Sequence, residues 1–367
     1  MHELTSLEIG VIVHELKPLE GSRLRKFYDL GSGTFKIAFY KNPDVKLAYI
    51  KLLKTINLTA FSEAAGEATQ FAMSLRKRIE NSVVDTIEQI NNDRILRFML
   101  DKGKYSLVVE MYGKGNMLLL NRDNTIEVLY KQIIQKDREL KKGTVYAYPK
   151  AESQDIFSMT AEQANSIAEN IRIDKTLIKE LSKALNIGPL YLEDIITRAG
   201  IDPNASELAV KQREELGKQI LELSKRLAAE KPRIYLDKGA VIDYAACSIL
   251  KYKGLESKEF ESMSLLLDEL HLTERTSMPD TARQQRLKEL TLNIEKQEQL
   301  EKQLAIDSEE YAMKGKIIMA NMAKINELCY WLRENRRATL NEVKERFPEL
   351  GIKELDLKNK TITLSGL

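Results

Sequence analysis

Residues 105–130 read YSLVVEMYGKGNMLLLNRDNTIEVLY, three apolar runs separated by two short polar turns. The runs at 105–112, 116–120 and 125–130 predict β-strands, because short apolar segments bounded by Gly, Asn and Asp are typical of strands. Turns of so few residues join neighbouring strands that run in opposite directions. This stretch therefore predicts the centre of an antiparallel, meandering sheet.

The same kind of pattern extends upstream of this meander. In chain order the sequence predicts a helix at 7–16, a hairpin at 35–39 and 46–50 around the turn 41–44, a helix at 68–79, and strands at 84–89 and 94–100. Residues 1–150 are therefore predicted to form an α+β domain with an antiparallel, β-rich sheet.

Beyond Pro149 the strand signal almost disappears and helical periodicity replaces it. The predicted elements are helices at 160–170, 175–185, 189–199, 206–229 and 260–272, with Asn204 or Ser206 capping the fourth, and a small hairpin at 234–244. A linker is expected at 277–280, where Pro279 interrupts the pattern. Residues 151–276 are therefore predicted to be a helical domain.

The segment 281–337 contains no Pro and a single Gly, Gly315. A narrow apolar stripe among charged faces predicts a coiled-coil arm, whose seam is Leu287, Leu290, Ile294, Leu300 and Leu304. Two helices joined near Gly315 and one long bent helix both fit this pattern. The predicted limits are thus 1–150, 151–276, an arm at 280–338, and the start of a small middle domain at 339–367.

The charge of the whole chain is nearly balanced, with 57 Lys and Arg against 55 Asp and Glu. This excludes a polycation that coats nucleic acid, so any such contact must come from a local patch. Residues 1–150 hold 24 basic and 18 acidic side chains, and the remainder hold 33 and 37. We expect a polyanion to meet the N-terminal part, although a chance imbalance on solvated surfaces fits equally well.

No constellation of residues predicts a metal site, a cofactor or a catalytic group. The histidines His2, His14 and His271 lack ligand spacing, and the two cysteines, Cys247 and Cys329, suit neither a disulfide framework nor a zinc site. The sequence also contains no secretory signal pattern and no apolar run of about 20 residues. A cytoplasmic protein without a membrane contact is therefore expected.

Several short motifs follow one another in an order that resembles the NFACT family, the ribosome-associated quality-control factors also described as fibronectin-binding protein A-like. In residues 1–150 they are Ser6-Leu7-Glu8, Glu15-Leu16, Gly21-Ser22-Arg23, Phe27-Tyr28, Phe71-Ala72-Met73, Leu75-Arg76-Lys77, Asn92-Asp93-Arg94-Ile95, the run 109–116, Tyr146 and Tyr148-Pro149. The segment 184–189, ALNIGP, leading into 191–200 resembles the helix–two-turns–helix module of that family.

This resemblance implies an N-terminal domain with the fold of the DNA-glycosylase N-terminal domain, then the helical module and the arm. The family normally continues into a further domain, NFACT-R, which the matched stretch does not include. The implied function is a non-enzymatic factor that binds a stalled large ribosomal subunit carrying peptidyl-tRNA and helps recruit tRNA for template-free C-terminal tailing. The implied partners are the large subunit, tRNA and rRNA, with a coiled-coil partner or self-association for the arm.

Two alternatives remain open at this stage. A DNA glycosylase with lyase activity shares the implied fold, but such enzymes use an N-terminal proline amine, whereas residue 2 here is His2. They also commonly carry a zinc finger, for which two cysteines are too few. A fibronectin-binding surface adhesin is the second alternative, and the lack of a signal pattern argues against it.

The resemblance also implies candidate residues for RNA or tRNA binding. Each of them could instead have a purely structural role. Asp93 and Arg94 match an acidic–basic pair that the family needs for tailing, and otherwise form a turn with a surface ion pair. Glu8 stands where the family has an aspartate, and is otherwise a capping or a solvated residue of a helix. The remaining candidates are Lys114 and Asn116, otherwise residues of a hairpin turn in which Gly and Asn supply positive φ, and Arg23, Lys141 and Lys142, otherwise solvated cations.

Overall fold

The computed structural model describes residues 2–61, 66–135, 138–150, 153–276, 280–357 and 361–364. The chain divides into two units, residues 1–276 and residues 277–367. The predicted linker lies mainly at 277–279, outside the described residues.

The first helix, α1 (Ser6–Leu16), confirms the helix predicted at 7–16. It begins with a capping box: the Thr5 side chain accepts a hydrogen bond from the Glu8 amide, and Glu8 Oε2 accepts one from the Thr5 amide at 2.8 Å. Ile9, Ile12 and Leu16 on this helix are completely buried. The helix is therefore an interior element with core contacts on several sides.

The next strands form a four-stranded antiparallel sheet in chain order: β1 (Arg23–Gly31), β2 (Thr34–Lys41), β3 (Asp44–Lys51) and β4 (Thr55–Thr59). The predicted hairpin is confirmed as the β2–β3 pair. Strands β1 and β4 add one neighbour on each side. The fully buried Phe39 faces Phe98 of the second sheet, with ring centroids 6.0 Å apart, so the two sheets share a core.

The second sheet follows helix α2 (Gln70–Ile79) and contains all five strands expected between residues 84 and 130. They are β5 (Val84–Gln89), β6 (Ile95–Leu100), β7 (Tyr105–Glu110), β8 (Asn116–Asn121) and β9 (Ile126–Leu129), paired antiparallel in that order. A short hairpin, β10 (Ile133–Gln135) and β11 (Arg138–Leu140), follows. The antiparallel α+β prediction is therefore confirmed.

The helical part consists of α3 (Ala161–Asn170), α4 (Leu177–Leu185), α5 (Pro189–Arg198), α6 (Val210–Ala229) and α7 (Met263–Thr276), with a sheet of β12 (Arg233–Asp237), β13 (Ala240–Ala245) and β14 (Glu256–Glu259) between α6 and α7. The cap predicted at Asn204 or Ser206 is wrong. Helix α6 starts later, because Leu208 is buried and Gln212 Oε1 accepts the Ala209 amide at 3.0 Å.

One apolar core runs through the first two predicted domains, 1–150 and 151–276, and extends from Leu4 to Leu270. Helix α1 also holds the start of α7, because the Glu15 carboxylate accepts the amides of Met263 and Ser264 at 2.6 and 2.9 Å. The boundary near residue 150 therefore separates two patterns of secondary structure and not two independent cores.

The second unit contains a long helix, α8 (Asp280–Ala320), followed by α9 (Met322–Glu334), α10 (Leu340–Arg346) and the hairpin β15 (Ile352–Asp356) and β16 (Thr361–Leu364). The break falls at Asn321 and not at Gly315, because the Asn321 side chain donates to the Ile317 carbonyl at 3.0 Å. Buried Leu328 of α9 clusters with Val343 and Phe347. The extended arm therefore ends at Ala320, and α9 belongs to the small C-terminal module.

The predicted seam of the arm is exposed where the structure describes it. Ile294, Leu300 and Leu304 are each more than half exposed, whereas the side chains of Leu287 and Leu290 lie outside the described residues. Over the described ranges, no helix is both long enough and apolar enough to cross a bilayer.

The loop between α4 and α5 packs directly on the start of α1. Asn186 ends α4 in the left-handed region at φ 49°, Gly188 adopts φ 91°, and Pro189 opens α5. A Cβ atom at Gly188 would lie 2.5 Å from Thr5 Cγ2. Only glycine fits, because both the backbone conformation and the space exclude a side chain.

We expect Gly188→Ala to destabilise the fold by about 2–4 kcal/mol, the sum of a left-handed backbone cost and an overpacking cost. Gly143→Ala is the matched control, because Gly143 has a similar φ of 87° but no atom within 4 Å of an added Cβ. It should cost only about 1–2 kcal/mol. Denaturant unfolding of both variants checks this, and equal losses would contradict the close contact with Thr5.

Candidate functional site

The loop that carries Asp93 and Arg94 joins β5 to β6 and is held by hydrogen bonds from two side chains. Gln89 Nε2 donates to the carbonyls of Ser6 and Asp93 at 2.7 and 2.8 Å. Asn186 Nδ2 donates to the Asn92 carbonyl at 2.8 Å. The loop is therefore positioned by the first helix and by the α4–α5 loop together.

Asp93 and Arg94 do not form the side-chain ion pair expected from the sequence. Asp93 Oδ1 accepts the Arg94 backbone amide at 2.7 Å, so this carboxylate stabilises the turn. The Arg94 guanidinium instead lies 3.3 Å from Glu3 Oε2, and about a third of its side chain is exposed. Arg94 thus remains accessible to an anionic ligand, in competition with an exposed carboxylate.

A cleft of about 430 Å³ opens beside this loop. Its walls come from the N-terminal segment, the 93–94 loop and the α4–α5 loop, and include His2, Glu3, Asp93, Arg94, Asn186 and Gly188. The cleft therefore lies where the β-rich and helical parts of the first unit meet.

Glu8 lies behind the cleft and is completely buried. Its Oε1 accepts hydrogen bonds from the Tyr191 hydroxyl and from the His2 ring, each at 2.8 Å, while Oε2 accepts the Thr5 amide. Direct RNA contact by Glu8, as the resemblance implied, is therefore wrong for this structure. Its capping alternative is confirmed, and the carboxylate also binds the helical part through Tyr191.

His2 lies between two carboxylates. Its Nε2 is 2.8 Å from Glu8 Oε1, its Nδ1 is 2.8 Å from Asp243 Oδ1, and its ring stacks on Tyr244 at 4.5 Å. Burial alone would lower the pKa of His2, but the hydrogen bonds with Asp243 and Glu8 outweigh it and raise the pKa to about 10. The imidazolium therefore clamps the N-terminal segment onto β13.

The second candidate pair, Lys114 and Asn116, divides into one exposed and one buried residue. Asn116 is completely buried; its Nδ2 donates to the Lys131 carbonyl at 2.8 Å and its Oδ1 accepts the Lys131 amide at 3.0 Å. RNA contact by Asn116 is therefore excluded in this conformation. The positive φ angles belong to Gly113 and Gly115, not to Asn116. Lys114 is exposed at the turn.

The other basic candidates lie outside the cleft lining. Arg23 is exposed on β1 and donates to the Asn81 carbonyl at 3.0 Å. Lys141 and Lys142 are exposed after β11, and Lys141 Nζ lies 2.7 Å from Glu139 Oε1. These cations can contact phosphates only at positions separate from Arg94.

Glu110 lies within the run 109–116 that carries the resemblance, but nothing in the sequence marks it as a buried junction. It is completely buried, accepts the Tyr146 hydroxyl at 2.7 Å, and pairs with Arg138 of the β10–β11 hairpin. Burial, together with the Glu110 charge, raises the pKa of Tyr112 to about 12, so this hydroxyl stays protonated. The cluster fastens the hairpin that precedes Lys141 and Lys142.

A family model described as NFACT N-terminal and middle domains matches residues 5–340. The chain belongs to the NFACT family. Among curated NFACT relatives, the archaeal Rqc2 homolog aRqcH of Methanocaldococcus jannaschii is 28% identical over the whole of this chain, which covers 56% of that protein. This chain thus spans about half the length of that relative.

Two further NFACT relatives match smaller shares. The Rqc2 homolog RqcH of Bacillus subtilis is 26% identical over 77% of this chain and 51% of its own length. Ribosome quality control complex subunit 2 of Saccharomyces cerevisiae is 28% identical over 57% of this chain and 20% of its own length. The names of these three relatives all refer to Rqc2 or ribosome quality control.

Solved structures share the NFACT fold seen here. The N-terminal part of the fibronectin/fibrinogen-binding protein from Streptococcus suis aligns with a TM-score of 0.59 at 21% identity, covering 74% of this chain and 99% of that one. The fibrinogen-binding protein from Staphylococcus aureus gives the same TM-score at 18% identity over 72% of this chain and 98% of that one. At these identities the likeness concerns the fold alone.

The His2 clamp should make stability depend on pH. Because folding raises the His2 pKa from 6.5 to about 10, its stabilisation is complete below about pH 6.5, weakens as the pH rises and is lost above about 10. We expect His2→Gln to cost about 1–2 kcal/mol at pH 6.5, and less at pH 9.5. Unfolding of both proteins across this range tests it; a constant difference would contradict a charged clamp.

Proposed function

We propose that this chain acts in ribosome-associated quality control as an RNA-binding factor, with the cleft at Arg94 as a principal contact. The observation that carries the proposal is the placement of Arg94 at the rim of a cleft, on a loop fastened by Gln89 and Asn186. A preorganised guanidinium is well suited to a phosphate. The names of the relatives refer to Rqc2 or ribosome quality control, which supports ribosome-associated quality control as the process in which this contact is used.

In this proposal the chain supplies binding and positioning and performs no bond-forming chemistry. The stalled large ribosomal subunit forms each peptide bond of the untemplated tail, and this protein helps hold the incoming tRNA. Lys114, Arg23, Lys141 and Lys142 would add phosphate contacts outside the cleft. Helix α8, with 41 residues, reaches about 60 Å at 1.5 Å per residue, which is long enough to contact rRNA at a distance from its base.

The glycosylase alternative gains no support from the environment of residue 2. Such an enzyme needs a free N-terminal proline amine, whereas His2 uses its backbone nitrogen and both ring nitrogens in contacts with Asp243 and Glu8. A residue held in this way serves the fold. We therefore favour binding over catalysis.

We expect Asp93→Ala and Arg94→Ala to change RNA affinity much more than stability. Each should cost about 1 kcal/mol or less in unfolding free energy, because Arg94 pairs with the exposed Glu3 and Asp93 accepts one backbone amide. Removal of a charged interaction with RNA should weaken binding roughly tenfold or more. Thermal melts and filter binding of a tRNA transcript measure both quantities.

Arg97→Ala is the matched control, because Arg97 lies on β6, directly after the loop that carries Arg94, and pairs with Glu88 at 2.6 Å, outside the cleft lining. It should bind tRNA as the wild type does. Wild-type binding by the Asp93 and Arg94 variants, or an affinity loss no larger than their stability loss, would overturn the proposed contact.

Phosphate contacts by several lysines should appear in the salt dependence of binding. The logarithm of tRNA affinity should fall linearly with the logarithm of salt concentration, with a slope proportional to the number of phosphates neutralised. Replacing both Lys141 and Lys142 by Ala should reduce that slope by about one for each phosphate that is no longer neutralised. Titration at four or more salt concentrations tests this; an unchanged slope would remove these lysines from the interface.

A further inference from the structure

A second cavity, of about 540 Å³, adjoins the Arg94 cleft. The two cavities share the residues His2 and Glu3, which form the ridge between them. The second cavity has an apolar floor that includes Leu52, Leu267 and Leu270, all less than a tenth exposed. Its rim is polar and includes Lys51, Lys54 and His271. An apolar floor with a few convergent polar groups is typical of ligand sites.

The fold holds the basic rim in place through two packed turns. The β3–β4 turn contains Leu53 in the left-handed region at φ 67°, a conformation that a branched residue rarely adopts. The β7–β8 turn presses on it: a Cβ at Gly115 would lie 3.0 Å from Leu52 Cβ and 3.1 Å from Leu53 Cγ. The turn that carries exposed Lys114 therefore packs against the turn that lies between Lys51 and Lys54.

The charges around the two cavities favour an anion. Lys51, Lys54 and Arg94 supply positive charge. Two carboxylates also line the cavities: Glu3 is paired with Arg94 at 3.3 Å, and Asp93 accepts the Arg94 backbone amide. A nucleotide in a strand combines a phosphate, which suits lysine, with a flat base, which suits an apolar floor. A peptide segment made only of acidic residues would satisfy the rim lysines but would offer no apolar or flat group to the floor at Leu267 and Leu270.

We propose that the cavity at Lys51 and Lys54 is a second nucleotide site, which binds the residue next to the one whose phosphate lies on Arg94, in a single-stranded stretch of the same RNA. In this arrangement the strand crosses the ridge at His2 and Glu3. The lysines contact its phosphate, and the leucine floor contacts its base. This inference rests on the proposed RNA-binding function and adds a separate site to it.

The test compares a tRNA transcript, a single-stranded tetranucleotide RNA and a mononucleotide as probes of the whole chain. The double variant Lys51→Gln/Lys54→Gln should bind the tetranucleotide and the tRNA roughly tenfold more weakly than the wild type, because two cations that face phosphate are removed. It should bind the mononucleotide at Arg94 with little change. Lys46→Gln, at the exposed far end of β3, is the control for a general reduction of charge. Thermal melts establish that all variants fold.

A second measurement localises the RNA directly. Photocrosslinking of a 4-thiouridine-containing tetranucleotide, followed by peptide mapping, should mark segments 51–55 or 267–271. Crosslinks confined to the Arg94 loop, or equal losses of affinity for Lys46→Gln and the double variant, would overturn the second site while leaving the proposed function intact. Absence of RNA binding by the wild type would overturn both. Unchanged binding by Arg94→Ala with weaker binding by the double variant would overturn the Arg94 contact and the placement of two neighbouring nucleotides, while leaving RNA binding at the lysine cavity intact.

Discussion

The first unit depends on the hydrogen bonds that the buried Glu8 carboxylate accepts. It caps helix α1 through Thr5, binds α5 through Tyr191, and holds His2. Tyr191 in turn accepts the Ala246 amide at 2.8 Å, which ties the residue after β13 to the same point. Removing one partner of such a buried charge leaves it unsatisfied and is strongly destabilising. The β-rich and helical parts can therefore hardly be separated without dismantling the cleft that they form.

Other buried acidic side chains also connect elements that are distant in sequence. Asp194 on α5 binds Arg198 and Arg226 at 2.8 Å and accepts the Leu250 amide at 2.6 Å. Glu110 fastens the β10–β11 hairpin. Acidic groups thus hold elements together inside, whereas the basic side chains proposed to contact RNA are partly or fully exposed. Basic residues on the surface can therefore be substituted without disturbing the buried acidic contacts, because the basic and the buried acidic side chains share few partners.

Local patterns carried most of the fold prediction, and its errors lie where strand pairing or a single side-chain hydrogen bond decides the outcome. The meander from 84 to 130 was predictable because each strand is apolar and each turn is short. Strand β14 was missed because its four residues, Glu256–Glu259, are all exposed and polar, so only pairing with β12 identifies it. The seam of the arm was visible as a stripe, but its break at Asn321 depends on a side-chain hydrogen bond to the helix backbone.

The candidate site was predictable only in part, for a related reason. The resemblance led to Asp93 and Arg94, and the structure places both at a cleft. It could not reveal that Glu8 and Asn116 are completely buried, because sequence motifs do not distinguish an exposed from an interior polar residue. Nor could spacing indicate that Glu3, 91 residues before Arg94 in sequence, provides its ion partner.

The distant partners of helix α1 also constrain how the chain is made. Tyr191, Asp243 and Ser264 follow their partners in the N-terminal segment by 183, 241 and 249 residues. During synthesis, the N-terminal segment emerges before these three partners, which arrive only when most of the first unit has been translated. Such a high contact order slows folding. The polar contacts that join the N-terminal segment to the helical part therefore form late in synthesis, after the strands β4 and β5 that pack on α1 have been made.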